Sequence, residues 1–447
     1  MGIDRFAAIP FPQILASPLR RILNAGLDAV DPSVAVQNAL RRDGHELQIG
    51  MPNQPAIRVA VPNGAKLRLV GLGKAAGQMV AAASKVLDGT PHEGMVVAKF
   101  PFDGLPNGIH QILGGHPIPS QQSLNAGLAL RQFLAGARQG DVVLFLLSGG
   151  GSALATLPVP GISLQDVQSL TQALLRAGAS IQQINSIRKQ IDQVKGGGLA
   201  RMAQPATCAV LILSDVIGNP LDVIASGPAI ADPSTPAEAL QTIESLGIGA
   251  QVPNGVIGAL KAQEGVHRPI VPLIPHIIIG DNQSALSAAC QQAVHEGVEV
   301  IRVPGFYTGD VVEVAASFCH AIGQTKPGSE GDKPILLAWG GEPTVQVSGN
   351  GLGGRNQHLA LELLARYKPK NGECIICLAT DGDDGPTDAA GAFVDDRTYF
   401  AGKKQGYELK TFLQNNDSYH YFEGTGNLLR IGPTGTNVND LLFYIRK

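Results

Sequence analysis

Short, largely apolar runs recur along the chain at 67–72, 95–98, 142–147, 208–213, 276–279, 299–303, 335–339 and 374–379. Each is too short for a globular helix and suits a strand buried on both faces. Longer segments alternate with them, their apolar residues three and four apart. Leu19, Ile22, Leu23, Leu27 and Val30 set the first such stripe, and 79–87, 121–137, 164–175, 283–296 and 358–366 continue the series. That spacing predicts amphipathic helices. Ser17-Pro18 and Asp31-Pro32 read as N-cap and first-turn pairs, so two helices are expected before any sheet. Residues 344–347 alternate, as in a hairpin or edge strand. The order predicts an α/β protein. Gly and Pro interrupt the helix signals between about Pro233 and Pro275, which places a domain boundary there and divides the chain into 1–264 and 265–447.

The chemistry-bearing residues gather where apolar runs stop. Val142–Leu147 ends in Ser148-Gly149-Gly150-Gly151-Ser152. Glycines here permit positive φ and close approach of a ligand, and the two hydroxyls and successive N–H groups could receive an anion. A plain strand–helix connection is the alternative. The run 67–72 leads into Gly71-Leu-Gly73-Lys74-Ala-Ala-Gly77, which approximates a dinucleotide fingerprint with one extra residue. The next run ends in Lys99-Phe100-Pro101, where a ribose-binding acid would be required, so a nicotinamide site is disfavoured. Lys74 at a helix start opposes the helix dipole, a conflict that a bound phosphate would resolve and a solvated surface lysine would not need to. His116, in Gly-Gly-His-Pro-Ile-Pro, reads as a structural loop histidine or a substrate contact.

Arg188, Lys189 and Lys195 precede a second glycine run, Gly196–Gly198, and form either a polyanion site or a solvated basic face. Asp215 follows the run 208–213, a position suited to a metal or catalytic carboxylate. Arg355, behind glycines at the start of a helix, is placed to grip a carboxylate or phosphate at two points. Asp381, Asp383, Asp384 and Asp388 are interleaved with Gly and read as a hard-cation loop or a solvated acidic one.

The whole-chain numbers exclude several classes. A 447-residue chain with 44% hydrophobic and 16% charged residues builds a large core. A net charge of −3 gives no basic field for nucleic acid, and no 18-residue apolar run suggests a membrane span. The first ten residues lack the pattern of a secretory signal, so cytoplasmic residence is expected. Five cysteines make no disulfide framework, and Cys374 and Cys377, three apart on a strand, face opposite sides. Cations beside glycine turns with acids at strand ends are the inventory of phosphoryl transfer, yet neither a P-loop nor the protein-kinase motif set occurs.

The ordered set Gly73-Lys74-Ala-Ala, His116-Pro-Ile-Pro, Ser148-Gly-Gly-Gly-Ser-Ala-Leu154, Asn185 to Gly197, Ser214-Asp215-Val216, Ser226-Gly-Pro228, Gly341-Glu342, Gly353-Gly-Arg355-Asn356-Gln357, Thr380-Asp381-Gly382 and Gly435-Thr436-Asn437-Val-Asn-Asp440 resembles the class II glycerate kinases, or glycerate 2-kinases. The resemblance spans nearly the whole chain. It implies ATP- and Mg²⁺-dependent phosphorylation of D-glycerate to 2-phosphoglycerate in a cleft between two domains. The first would be a Rossmann-like three-layer α/β/α domain with a parallel sheet. The second would be a smaller α/β domain with a mixed sheet, containing the family's C-terminal module from about Pro334. Lys74, Arg355 and Asp215 would be catalytic. Ser148, Gly149, Gly150, Gly151, Ser152, Arg188, Lys195 and Asn356 would bind substrate or phosphate. Asp381, Gly382, Thr436, Asn437 and Asp440 would hold nucleotide, with Asp215, Asp381 and Asp384 on the metal. Residues 265–275 would serve as a hinge, and Lys74 and Arg355 would be replaceable without loss of fold. Ser120, Gln190, Asp192, Asn219 and His358 depart from the family's usual residues. A homodimer, a hydroxypyruvate reductase and a non-catalytic sugar-acid or nucleotide sensor stay open as alternatives, the last disfavoured by the acidic loop.

Overall fold

The computed structural model describes residues 3–52, 55–266, 270–325 and 333–447. Its contacts form two compact units, Pro32–Ile279 and Met1–Asp31 with Gly280–Lys447.

The Pro32–Ile279 unit is built on a six-stranded sheet. Its spatial order is Ile109–Leu113, His92–Ala98, Leu67–Leu72, Val142–Ser148, Thr207–Leu213, His276–Gly280. The first five strands pair in parallel, with Leu72 opposite Leu147 and Ser148 opposite Leu213. Every residue of Leu67–Leu72 and of Val142–Ser148 is buried, as the apolar runs require. The order reverses between these two central strands: the chain first builds outward from Leu67–Leu72 to one edge, then returns to add Val142–Ser148 on its other side. In an open α/β sheet that reversal opens a crevice beyond the carboxyl ends of the strands. A satellite core joins the helices Leu164–Arg176, Ile181–Ile191, Pro236–Ser245 and Asn254–Ala262. The first three start at Ser163, Ser180 and Thr235, each closing a reciprocal capping box. A small antiparallel sheet, Leu40–Asp43, Glu46–Ile49 and Ile57–Ala60, was not legible because its strands are short and half polar.

The other unit carries a mixed five-stranded sheet ordered Glu299–Asp310, Ile335–Thr344, Asp440–Arg446, Glu373–Ala379, Gly391–Asp395. The first pair is parallel and the rest antiparallel, so the last strand of the chain lies at the centre. The first helix, Gln13–Asp28, also belongs here and packs on Asn282–His295. Gly26 makes the approach possible, since a Cβ there would lie 3.2 Å from the Ala285 carbonyl oxygen and 3.3 Å from Ala289 Cβ. Among the described residues no helix is long and apolar enough to cross a membrane.

Four expectations change. The strand 276–279 does not begin a second series but completes the first sheet, as the Val210 N–H to Pro275 carbonyl bond of 2.9 Å shows at its start. The division accordingly falls at 279/280 and again at 31/32, not at 264/265. The first helix begins after Pro12 and runs through Pro18. Its buried stripe of Leu15, Leu19, Ile22 and Leu23 continues across the proline, so packing outweighs the lost hydrogen bond. Residues 345–347 form no strand, because the pairing of Ile335–Thr344 ends at Thr344. Residues 267–269 of the expected hinge lie outside the described residues.

Candidate functional site

At the reversal point, the turns after two central strands are bonded to each other. The Lys74 N–H donates to the Gly149 carbonyl at 2.9 Å, and the Ala75 N–H donates to Ser148 Oγ at 3.0 Å. Ser148 Oγ thus ties the two turns together. The glycines are needed for contact. A Cβ on Gly149 would lie 1.8 Å from an Asp215 carboxylate oxygen, and one on Gly151 would lie 2.9 Å from Ala225 Cβ. Gly150 is left-handed at φ 82°, and a Cβ there would sit 3.3 Å from both Lys74 Cγ and His116 Cδ2. Lys74, His116, the glycine turn and Asp215 therefore meet at one crevice. Asp215 is partly exposed at its edge.

The crevice is electropositive. Burial, and after it the charges of Lys74, Lys99 and Arg188, hold the His116 imidazole down at about 4. His116 is neutral at pH 7 and reports three cations around it. Among the described residues Lys74 and Lys99 have no ion-pair partner, and Arg188 makes only a long 3.5 Å bond to Thr171 Oγ1, with the Asp192 charge acting on it. Lys99 was missed as a member of the site, and His116 was weighed only as a structural loop histidine or a substrate contact. The signal for Lys99 was its place at a strand end where a dinucleotide site needs an acid.

Lys195 does not join this group. It is 2% exposed, and its Nζ bonds Asp192 Oδ2 at 2.5 Å and the Ala155 carbonyl at 3.2 Å. Asp192 also accepts from Thr156 Oγ1 at 2.5 Å and from the Val194 N–H at 2.9 Å. A lysine this enclosed and neutralised is a strut of the fold, not a phosphate ligand. Lys189 is likewise engaged, with Asp222 at 2.9 Å.

In the other unit, Arg355 opens the helix Arg355–Arg366 and spends its whole fork on acids. Nε and Nη2 donate to the two Asp440 oxygens at 2.6 and 3.0 Å, and Nη1 donates to Glu342 at 2.7 Å. Asn439 Nδ2 adds a bond to Glu342 at 2.9 Å. Asp440 is fully buried; burial pushes its carboxyl up and the guanidinium opposes that rise. Asp440 is therefore the counter-ion of Arg355 rather than a nucleotide contact. Glu342, which Arg355 bonds, and Asn439, which bonds Glu342 in turn, were missed, although both fall within motifs of the family pattern. Asp384 is no metal ligand here. It is 2% exposed and accepts the Asn356 and Gln357 N–H groups at 3.0 and 2.7 Å, capping the same helix. Asn356 Nδ2 turns to Asp384 as well, at 3.3 Å. Thr436 Oγ1 donates to the Val30 carbonyl at 2.7 Å and Asn437 Oδ1 accepts the Asn439 N–H at 3.1 Å, both structural bonds. Gly382, at φ 90°, lies against the Gly432 carbonyl, where a Cβ would come within 2.1 Å. Asp381 is partly exposed on that turn. Among the described residues no three His, Cys, Asp or Glu side chains gather as a metal cluster.

Residues 18–261 match the family described as "Domain of unknown function (DUF4147)", and 335–440 match the MOFRL family. The D-glycerate 2-kinase of Thermotoga maritima is 40% identical over 84% of this chain and 89% of its own length. The chain belongs to the glycerate 2-kinase family. The glycerate 2-kinase of Pyrococcus horikoshii is 35% identical over 95% of this chain and 96% of its own. A crystal structure of glycerate kinase from Thermotoga maritima superposes with a TM-score of 0.82 at 36% identity, covering 98% of this chain and all of that one.

Within this family the chain's departures take structural places. Ser120 caps the helix Gln121–Ala135. Gln190 Nε2 donates to Asp232 and Ser234, and Asp192 is the counter-ion of Lys195. Asn219 occupies a left-handed turn at φ 54°, and His358 is buried on the helix that Arg355 opens.

Proposed function

We propose that this chain transfers the γ-phosphoryl group of ATP to the 2-hydroxyl of D-glycerate, releasing 2-phospho-D-glycerate and ADP. The observation that carries the reading is the crevice at the sheet's reversal point. It offers Lys74, Lys99 and Arg188 around a neutral His116. Both reactants are anions, and phosphoryl transfer is catalysed chiefly by placement and by cations facing the developing charge. A bound Mg²⁺ would supply charge neutralisation on the nucleotide phosphates. Asp215, partly exposed beside Gly149, fits it, because Mg²⁺ keeps most of its waters and needs one or two carboxylates. Arg355 would act with Glu342 and Asp440 as one charge-balanced group. All five cysteines are free thiols, which suits a reducing cytoplasm.

The test is incubation of the purified chain with ATP, Mg²⁺ and D-glycerate, with the product located by phosphorus NMR. A 2-phosphoglycerate resonance coupled to the C2 proton is expected. ATP turnover without a glycerate-dependent product would overturn the reading.

A further inference from the structure

Ser152, Ser226 and Asn185 form a directed chain of hydrogen bonds. Ser226 is fully buried, and its hydroxyl donates to Asn185 Oδ1 at 2.8 Å. A serine hydroxyl has one proton. In its other contact, the 2.7 Å approach to Ser152 Oγ, Ser226 must therefore accept and Ser152 must donate. Ser152 is only partly buried, in the same turn as Gly149 and Gly150. With its proton committed inward, the oxygen of this partly exposed residue, two positions past Gly150, is left as an acceptor alone.

Further observations mark the cluster as more than packing. Asn185 is 3% exposed, and its Nδ2 has no partner among the described residues. A buried amide left unpaired is costly and calls for an explanation. Ala225 and Ser226 are both left-handed, at φ 50° and 61°, ahead of Gly227 at 59°. Consecutive non-glycine residues in that region cost free energy that neighbouring structure must hold, a condition concentrated at functional sites.

We infer that Ser152 accepts a hydrogen bond from a hydroxyl of the acceptor substrate, and that Ser226 and Asn185 are positioning residues that fix its polarity. This rests on the hydroxy-acid kinase reading and narrows it. An acceptor-only oxygen repels phosphate and carboxylate oxygens, so Ser152 is not a phosphate ligand. It selects for an acid that carries a donor hydroxyl, while the neighbouring cations take the anionic group.

The test is calorimetric binding of D-glycerate, 3-hydroxypropanoate and D-lactate to the intact protein and to its Ser152→Ala and Ser226→Ala variants. The two analogues each lack one hydroxyl of glycerate. The wild type is expected to bind one of them about tenfold more weakly than glycerate, the worth of one net hydrogen bond. In Ser152→Ala that penalty should fall to about twofold or less. In Ser226→Ala it should shrink as well, although Ser226 touches no ligand; a merely structural serine would lower the melting temperature and leave the ratio alone. Full discrimination retained by folded Ser152→Ala would overturn the inference and leave the kinase reading intact, as would a wild type indifferent to both hydroxyls. Failure of the wild type to bind glycerate at all would remove both.

Discussion

Replacing Lys74 with Met keeps the length of the side chain and removes its charge. A Cβ on Gly150 would lie 3.3 Å from Lys74 Cγ and 3.3 Å from His116 Cδ2, which puts the two side chains within van der Waals reach of one turn. For charges ~7 Å apart at a partly solvated site, Coulomb's law gives about 1 kcal/mol, close to one pKa unit. The His116 imidazole, held at about 4, should then titrate roughly one unit higher in Lys74→Met, still below its ordinary range because burial is the larger cause. The consequence for stability follows. The unfolded chain takes up this proton at higher pH than the folded one, so the protein loses stability as pH falls from about 6.5 through about 4. After allowance for solvent screening at a half-buried ring, the loss is about 1–2 kcal/mol, and the variant should lose less.

Two assays read this substitution. Proton NMR of the histidine ring resonances against pH gives the shift of His116, and steady-state kinetics gives the rate. A cation acting on developing phosphoryl charge accounts for on the order of a hundredfold in turnover. An unmoved His116 titration would refute the geometry of the crevice. A moved titration with turnover within about threefold of wild type would leave the electropositive crevice standing and refute the catalytic role of Lys74.

The remaining substitutions separate struts from chemistry. Lys195→Met should cost about 3–5 kcal/mol in urea unfolding, because it strands a buried Asp192; a phosphate ligand would instead lose turnover with stability kept. Asp384→Ala should lower stability by about 1–2 kcal/mol through the lost helix cap, with the Mg²⁺ dependence of the rate unchanged. A shifted Mg²⁺ dependence would return Asp384 to the metal. Asp215→Asn should bind glycerate normally and lose Mg·ATP-dependent turnover, and full activity at limiting Mg²⁺ would exclude it as the metal carboxylate.

The strands were legible wherever both faces are buried, because such runs have no polar interruption to misread; Val142–Ser148 and Glu373–Ala379 are buried along their whole length. Sheet membership was not legible. His276–Gly280 has the same local signature whether it closes one sheet or starts another, and only its neighbour in space decides. Gln13–Asp28 likewise meets a helix more than 250 residues away in sequence. Lys74 and Lys195 look alike as glycine-flanked cations. The difference lies in a counter-ion: Asp192 stands three residues before Lys195 and reaches its ammonium group. In the acidic loop, composition could not separate Asp384, turned inward onto a helix start, from its exposed neighbour Asp383.

Arg355 is where sequence and structure disagree about consequence. As a loop-borne cation it would be dispensable for folding. It does open a helix, as its place behind glycines implied, but it is also the bidentate partner of a carboxylate with no solvent exposure. Arg355→Met should therefore cost about 3–5 kcal/mol above neutral pH, where Asp440 must ionise without its partner. With the guanidinium gone, burial alone acts on Asp440 and its folded pKa rises further above 3.8. A carboxyl raised in the folded state contributes most below its unfolded pKa and loses that contribution as pH rises through the folded value. Since Asp440 is already pushed up to about 7 in the intact protein, both proteins lose this contribution alike up to that pH, and the extra deficit of the variant should grow above about 7. Removing the stranded charge in Arg355→Met/Asp440→Asn should restore most of the stability, since a neutral pair avoids the desolvation that the ion pair had to offset. Turnover then separates the two roles of Arg355. If its guanidinium faces reacting charge, the double variant folds well and stays at least a hundredfold slow, on the order of other transition-state contacts. Recovery of both stability and rate in the double variant would show that Arg355 serves only to hold Asp440.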